Sequence, residues 1–290
     1  MASNDPAQFR LPDLRFVEVD RLVPHEKEDE GRTTSLATRL RENGVLRNPP
    51  IVTPAVTGTI PAGTDDRFVV LDGANRVSTV RAAGFPHLVV QVVRYDDPGV
   101  RLSTWHHALG STASEDLRRG LKSIAGLERQ EEELSHARAL LARRESIAFV
   151  AEADGRVVSL HGGHDLHARN SLLNAVVDLY RGKHPYSRVT RDSIEDARAG
   201  HPEFESLVVF PHFQPDEILE VALGGARLPA GITRHVIAWR ALRINVALEQ
   251  LSDRSRSTQE KNQWLAGWIA DRVERNAVRY YEESTVLFDE

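Results

Sequence analysis

The chain has 290 residues, 41% hydrophobic and 27% charged, which leaves room for about two domains with cores of their own and excludes a disordered or fibrous protein. Its 42 acidic and 37 basic side chains give net −5, which disfavours duplex nucleic acid as a partner. Cysteine is absent, which removes disulfides, thiolate metal sites and cysteine nucleophiles, and the lack of a long apolar run or of a leader-like start predicts a cytoplasmic protein with no membrane span.

From Leu14 to Val23, the positions of Phe16, Val17, Val19 and Leu22 predict a strand feeding a turn at Pro24. Ser35 to Asn43 predicts a short helix stopped by Gly44. The β-branched run at Pro49 to Thr53 predicts a strand, Gly58 to Asp66 a polar loop, and Arg67 to Leu71 a strand buried on both faces. Ala74 to Ala83 carries Val77, Val80 and Ala83 at helical spacing, and Leu88 to Val93 predicts a further buried strand, which completes an α/β unit. Beyond it, Ser114 is the expected N-cap of a helix with Leu117, Leu121, Ile124 and Leu127 on one face, running through Gln130 to Glu133 toward Arg144. A hairpin turning at Asp154-Gly155 follows, then a helix over Leu172 to Tyr180, a strand over Leu207 to Phe210 and a short helix from Asp216 to Leu223. Thr233 to Val246 reads as a pair of strands. Thr258 to Glu282 reads as an amphipathic helix whose Trp264 and Trp268 face a core, with a homodimer contact as the alternative.

The segment Phe68 to Arg76 has the order strand, turn, helix. Gly73 after a buried strand lets the backbone approach a ligand, and the free amides of a helix start favour phosphate. Arg76 and Asn75 add donors, and Asp72 at the strand end is placed to organise Mg²⁺ or to orient a hydroxyl; read as structure alone, Asp72 is an N-cap. Gly58 and Gly63 have the spacing of a P-loop, but Thr64-Asp65 stand where Lys and Ser or Thr are required, and no dinucleotide fingerprint follows a strand. Glu26, after Pro24-His25, is a candidate general base at a strand end corresponding to that of Asp72. Thr104, Trp105 and His106 form an aromatic and imidazole cluster suited to a polar pocket, while His161, His164 and His167 on a glycine-containing loop make a weak case for metal.

Taken together, Val23 to Glu26, Arg32, Leu46 to Val52, Leu71 to Arg76, Ser103 to His106 and Pro229 to Arg234 resemble, in order and separation, the free-serine kinases of the ParB/sulfiredoxin-like fold. The resemblance implies an α/β (α+β) protein: a ParB/sulfiredoxin-like nucleotide-binding domain over 10–110, and a second mixed α/β domain with a helical insertion and a C-terminal helix over 111–290. It implies phosphorylation of L-serine to O-phospho-L-serine with ATP or ADP as donor and Mg²⁺ as cofactor. Glu26 corresponds to the base and Asp72 to the acidic residue of the phosphate loop. Gly73, Ala74, Asn75 and Arg76, with Arg32 and Arg47, correspond to the nucleotide-phosphate contacts. By the same resemblance, His25, Thr104, Trp105, His106, Thr233 and Arg234 correspond to the serine pocket, with Arg234 expected on the serine carboxylate. Asn75 stands where the family usually has histidine, so a charge or proton at that position is lost. Sulfiredoxin chemistry is excluded, because it needs a cysteine in this loop. The competing expectation is a ParB-like nucleotide-binding transcriptional regulator without kinase activity.

Overall fold

The computed structural model describes residues 11–28, 42–55, 66–201 and 203–281. Strands β1 (Asp13–Glu18), β2 (Leu22–Pro24), β3 (Val45–Leu46), β4 (Ile51–Pro54), β5 (Phe68–Asp72) and β6 (His87–Val92) come first, and all but β3 form a five-stranded sheet in the order β1-β6-β4-β5-β2. The strand expected over Leu14 to Val23 is broken at Val19–Arg21 by a 3₁₀ turn, in which Val19 N–H bonds Pro86 O at 3.0 Å. Its two halves therefore lie at opposite edges of the sheet. β1 runs antiparallel to β6, whereas β2 runs parallel to β5 with Leu22 opposite Phe68 and Pro24 opposite Val70. Because β2 and β5 are parallel, their C-terminal ends share one edge, and this places His25-Glu26 beside Leu71-Asp72.

β5 explains why the sequence there is apolar without alternation. Val69 and Leu71 enter one core and Val70 the other, so both faces of the strand are covered. Helix α1 (Ala74–Ala82) begins immediately after Gly73. The rest of the chain supplies β7 (Val100–Thr104), β8 (His106–Gly110), β9 (Glu128–Glu132), β10 (Ala148–Glu152), β11 (Val157–His161), β12 (Tyr186–Val189), β13 (Phe204–Val209), β14 (Thr233–Ile237) and β15 (Val246–Ala247). Six of these strands form an antiparallel sheet in the order β12-β8-β13-β10-β11-β9. Helices α2 (Ser111–Leu121), α3 (Leu134–Ala142) and α5 (Ile194–Gly200) pack on this sheet, α4 (Leu166–Val177) packs on α2 and on α6 (Pro215–Leu223), α6 also packs on β2 and β5 of the first sheet, and α7 (Leu248–Ser252) and α8 (Thr258–Glu274) are the last described helices. No described helix is long and apolar enough to cross a membrane.

Several elements differ from the sequence expectation. The helix expected from Ser114 to Arg144 stops at Leu121, and Glu128–Glu132 then pairs with β11 as an outer strand before α3 begins. An edge strand with one bonded side accepts charged residues at every position, which is why its sequence carries no strand alternation. Ser114 is not a cap: α2 begins at Ser111, and the Ser114 hydroxyl is buried 2.6 Å from that of Ser206. The Asp154-Gly155 hairpin joins β10 and β11. Thr233 to Val246 does hold two strands, but they do not pair with each other: β14 pairs with β7 and β15 with β3. The expected helix over Ser35 to Asn43 lies mostly outside the described residues, as does most of the Gly58 to Asp66 loop.

The C-terminal segment returns to the first sheet. Ile244, Val246, Leu251 and Leu265 share a core with Phe16, Val70 and Leu88, and Asn262 bonds both the amide and the carbonyl of Phe16, at 2.8 and 3.0 Å. Trp264 meets Phe16 edge-on at 6.2 Å and Trp268 lies 6.3 Å from Trp264, so both tryptophans cover this core.

Candidate active site

Distant segments meet at the shared edge of β2 and β5. His25 O accepts from Leu228 N–H and Leu228 O accepts from Lys27 N–H, both at 2.8 Å, and these bonds tie Glu26 to the loop leading into β14. The Glu26 carboxylate is then held from the same loop. Oε2 accepts from Gly231 N–H and Oε1 from Thr233 N–H, each at 2.8 Å, and the Thr233 hydroxyl also donates to Oε1. Gly231 adopts φ 76°, a conformation that favours glycine, and its carbonyl accepts from His107 Nε2 at 3.0 Å. A carbonyl only accepts, so Nε2 carries the hydrogen and His107 Nδ1 accepts from the Tyr180 hydroxyl at 2.7 Å. Burial pushes the His107 imidazole down to about 3, so it packs as a neutral group. The second sheet thereby anchors Gly231, the residue whose N–H holds Glu26.

His25 is 3% exposed. Its Nδ1 lies 2.5 Å from Val70 O and its Nε2 2.7 Å from Thr233 Oγ1. Burial pushes this imidazole down and Arg227 adds to the effect, against smaller upward pulls from Glu26 and the Val70 carbonyl.

The Asp72-Gly73 turn follows β5. Gly73 sits at φ 91° at the start of α1, and Arg76 folds back so that its Nη1 donates to Asn48 O at 3.1 Å and its Nη2 reaches Asp72 Oδ2 at 3.4 Å. Asp72 is not a side-chain cap; its carboxylate pairs with Arg76 and also with Arg240. Nothing in the sequence motif flags Arg240. It lies on a strap in which Trp239, Arg243 and Asn245 all have positive φ, at 57°, 55° and 47°. The strap is pinned by Gln91 to Trp239 O and Ala241 N–H and by Asn48 Oδ1 to Arg243 N–H. Three non-glycine residues held in this sparsely populated region mark a segment whose position the surrounding structure over-determines.

On the other side of Glu26, register puts Thr233 opposite Thr104 and Arg234 opposite Ser103. The Arg234 guanidinium lies over the Trp105 ring, 4.8 Å from its centroid, with Arg188 5.8 Å from the same centroid. Thr104 is buried and donates to Pro211 O at 3.2 Å, and His106 is buried with its Nδ1 accepting from Phe210 N–H at 3.3 Å. Burial lowers His106 to about 4. Glu26, Asp72, Gly73, Ala74, Asn75 and Arg76 thus share one edge with Thr233 and Arg234, while Arg47 follows β3 on an exposed position next to Asn48. Arg32 lies outside the described residues. His161, His164 and His167 do not converge: they meet Glu145 O, Asp165 and Glu220, and no group of three His, Asp or Glu among the described residues is placed to hold a metal ion.

No protein-family model matches the chain. Among curated proteins it is similar to an ATP-dependent L-serine kinase of Staphylothermus marinus, 36% identical over 94 residues that make up 32% of this chain and 34% of that protein. It is also similar to the ADP-dependent L-serine kinase SerK of Thermococcus kodakarensis, 23% identical over 245 residues, 82% of this chain and 93% of that one. The ATP-dependent L-serine kinase SbnI of Staphylococcus aureus is 25% identical over 282 residues, 96% and 97% of the two chains. The chain spans about a third of the length of the first of these relatives and nearly all of the other two. Among solved structures, a free serine kinase in complex with AMP superposes with a TM-score of 0.68 at 20% identity, covering 86% of this chain and 98% of that one, so the two share a fold.

Proposed function

We propose that this chain, which belongs by sequence and fold with the free L-serine kinases, transfers a phosphoryl group from a nucleotide to the hydroxyl of free L-serine and yields O-phospho-L-serine. The observation that carries this reading is the placement of Glu26. Its carboxylate is fixed by Gly231 and Thr233 at the strand edge that also bears the Asp72-Gly73 turn, beside the strand pair that carries Arg234. Serine's hydroxyl is far too weak an acid to ionise near neutral pH, so its attack on phosphorus needs a positioned base, and a rigid carboxylate between a phosphate turn and an amino-acid pocket meets that need. The serine O–H bond breaks as Glu26 takes the proton, a bond forms from serine oxygen to the terminal phosphorus, and the nucleotide leaves with the bridging oxygen.

The amides opening α1 from Gly73 through Asn75 and the Arg76 guanidinium supply donors to the phosphates, with Arg47 and Arg32 as further candidates and Arg240 added by the structure. Asn75 can donate to phosphate as a neutral group. Mg²⁺ bound through nucleotide phosphates would be held by Asp72, whose carboxylate is paired with Arg76 and Arg240 and would give up one of them to the ion; the ion would neutralise phosphate charge. Arg234, presented on the Trp105 face, suits the serine carboxylate, while the buried His25, Thr104, His106 and Thr233 shape the pocket from behind.

Incubation of the purified protein with L-serine, Mg²⁺ and either ATP or ADP, followed by mass spectrometry, tests this. Phosphoserine with one or both donors is the expected product. Nucleotide binding with no phosphoserine from either donor refutes the kinase and leaves a nucleotide-binding regulator.

A further inference from the structure

Asp72 carries two arginines on one oxygen. Arg76 Nη2 and Arg240 Nη2 both meet Oδ2, and Oδ1 has no hydrogen-bond partner among the described residues. The two arginines are not held alike. Arg76 belongs to the helix that follows the turn, is 17% exposed and also donates to Asn48 O at 3.1 Å. Arg240 is 40% exposed, and among the described residues its guanidinium bonds to Asp72 alone. Its backbone, by contrast, is fixed from both neighbours, because the Gln91 amide donates to Trp239 O at 3.0 Å and accepts from Ala241 N–H at 2.9 Å. Arg240 is thus a guanidinium able to turn on a fixed stem, and the carboxylate it pairs with keeps a cation without it.

The side from which it comes matters as well. β5 lies between β4 and β2 in the sheet, and Glu26 follows β2. The strap is bonded to Gln91 of β6 and to Asn48 just before β4, so Arg240 reaches Asp72 from the side opposite Glu26.

We propose that Arg240 is a catalytic residue that rests on Asp72 in the free protein and changes partner when nucleotide binds, leaving Asp72 for the phosphates on the leaving-group side. This rests on the nucleotide lying at the Asp72-Gly73 turn, as in the function proposed above. Two guanidinia on one oxygen repel each other, and a nucleotide phosphate chain, with more than one negative charge, offers the planar fork a stronger acceptor. Only a side chain has to turn, a motion of nanoseconds or less. Transfer in line puts the serine oxygen and the departing nucleotide oxygen on opposite sides of phosphorus. With Glu26 on the serine side, Arg240 stands on the other, where negative charge grows as the bond from phosphorus to the bridging oxygen breaks. Asp72 meanwhile keeps Arg76.

A double-mutant cycle read by calorimetry tests this without catalysis. ADP is the probe, since it is donor or product whichever nucleotide is used, and a chelator removes metal so that only side chains act. Wild type, Arg240→Gln, Asp72→Asn and the double variant are compared, with thermal melts to show that each is folded. A change of partner means that Arg240→Gln weakens ADP binding by roughly tenfold or more, in the Asp72→Asn background as well as in wild type. If Arg240 only screens Asp72 from the phosphates, the same substitution costs nothing once that carboxylate is gone, and this result overturns the proposal. Arg240→Lys keeps a charge on the same stem and is expected to recover part of the loss; equal losses in Arg240→Lys and Arg240→Gln trace the effect to the strap and also overturn it. In serine phosphorylation at saturating nucleotide, Arg240→Gln is expected to lower kcat by about tenfold or more, and an unchanged kcat refutes the leaving-group role. A protein that makes phosphoserine and binds ADP equally well with and without Arg240 loses this proposal and keeps the kinase reading. One that binds ADP through Arg240 and makes no phosphoserine loses the kinase reading and keeps the change of partner.

Discussion

Replacing Gly73 by alanine tests the proposed role of the Asp72-Gly73 turn through a calculable chain of effects. Gly73 lies at φ 91°, where an L side chain costs about 1–2 kcal/mol, of which about 0.4–1 kcal/mol is offset because alanine restricts the unfolded chain. The new Cβ would also lie 2.7 Å from Arg76 Nη2 and 2.8 Å from Arg76 Nε. These atoms end a flexible side chain, so the guanidinium swings out and the backbone stays. That motion gives up the bonds to Asn48 O and Asp72, and since Asp72 is 39% exposed, solvent screening holds their value to about 1 kcal/mol. The total of about 1–2 kcal/mol lowers Tm by roughly 2–3 °C for a chain of this length unfolding as one unit, and, on the proposed contact of Arg76 with the nucleotide phosphates, its withdrawal weakens nucleotide binding by roughly tenfold or more. Thermal melts and calorimetric titration with nucleotide on Gly73→Ala, Arg76→Ala and the double variant separate the two parts. Without Arg76 the clash is gone, so alanine at 73 retains only its backbone cost. Wild-type nucleotide affinity in Gly73→Ala, or an identical alanine cost with and without Arg76, refutes the account of this turn.

Glu26→Gln is expected to abolish phosphoserine formation while nucleotide affinity stays within a few fold, because shape is kept and basicity removed; near-normal turnover means that Glu26 is not the base. Arg234→Lys is expected to raise KM for L-serine strongly and KM for L-serine amide little, since lysine cannot give a carboxylate two parallel hydrogen bonds; equal losses on both substrates assign Arg234 to packing against Trp105. His106 and His107, lowered to about 4 and about 3, are neutral when folded and titrate near their ordinary value of about 6.5 when unfolded. The unfolded chain therefore binds more protons, so stability present above about pH 6.5 falls as pH drops toward these lowered values. Urea midpoints against pH are expected to fall less steeply in His107→Gln, and an unchanged slope removes His107 from the acid response.

The site was legible in the sequence where local pattern and chemistry coincide. Phe68 to Arg76 is a strand buried on both faces, a glycine and a helix start, and all three are short-range properties. Glu26 and Asp72 could be paired as strand ends because β2 and β5 are parallel, although no spacing in the chain states that register. Other features depend on tertiary contacts and left no local trace. Glu128–Glu132 is a strand only because β11 offers it a partner. Thr233–Ile237 finds its partner in Val100–Thr104, far back in the chain. Arg240 reaches Asp72 through a strap whose unusual backbone is carried by ordinary residues. His25 and Thr233 were visible as polar residues near a pocket, yet that their side chains bond to each other follows only from the fold.

The return of the C-terminal segment to the first sheet bears on synthesis. Phe16 and Leu88 leave the ribosome early, but Ile244, Val246, Leu251 and Leu265 complete their core, and Glu26 meets its Gly231 and Thr233 donors only when those residues appear, 205 and 207 positions later. An emerging chain therefore carries an apolar sheet face without its cover for most of its translation, and contacts of such sequence separation close slowly. The second sheet, whose strands all lie between 106 and 209, waits less, since Phe213, Ile218, Leu228 and Ile232 are enough to close its core. A product that ends before Gly231 therefore leaves the Glu26 carboxylate without either of its backbone donors.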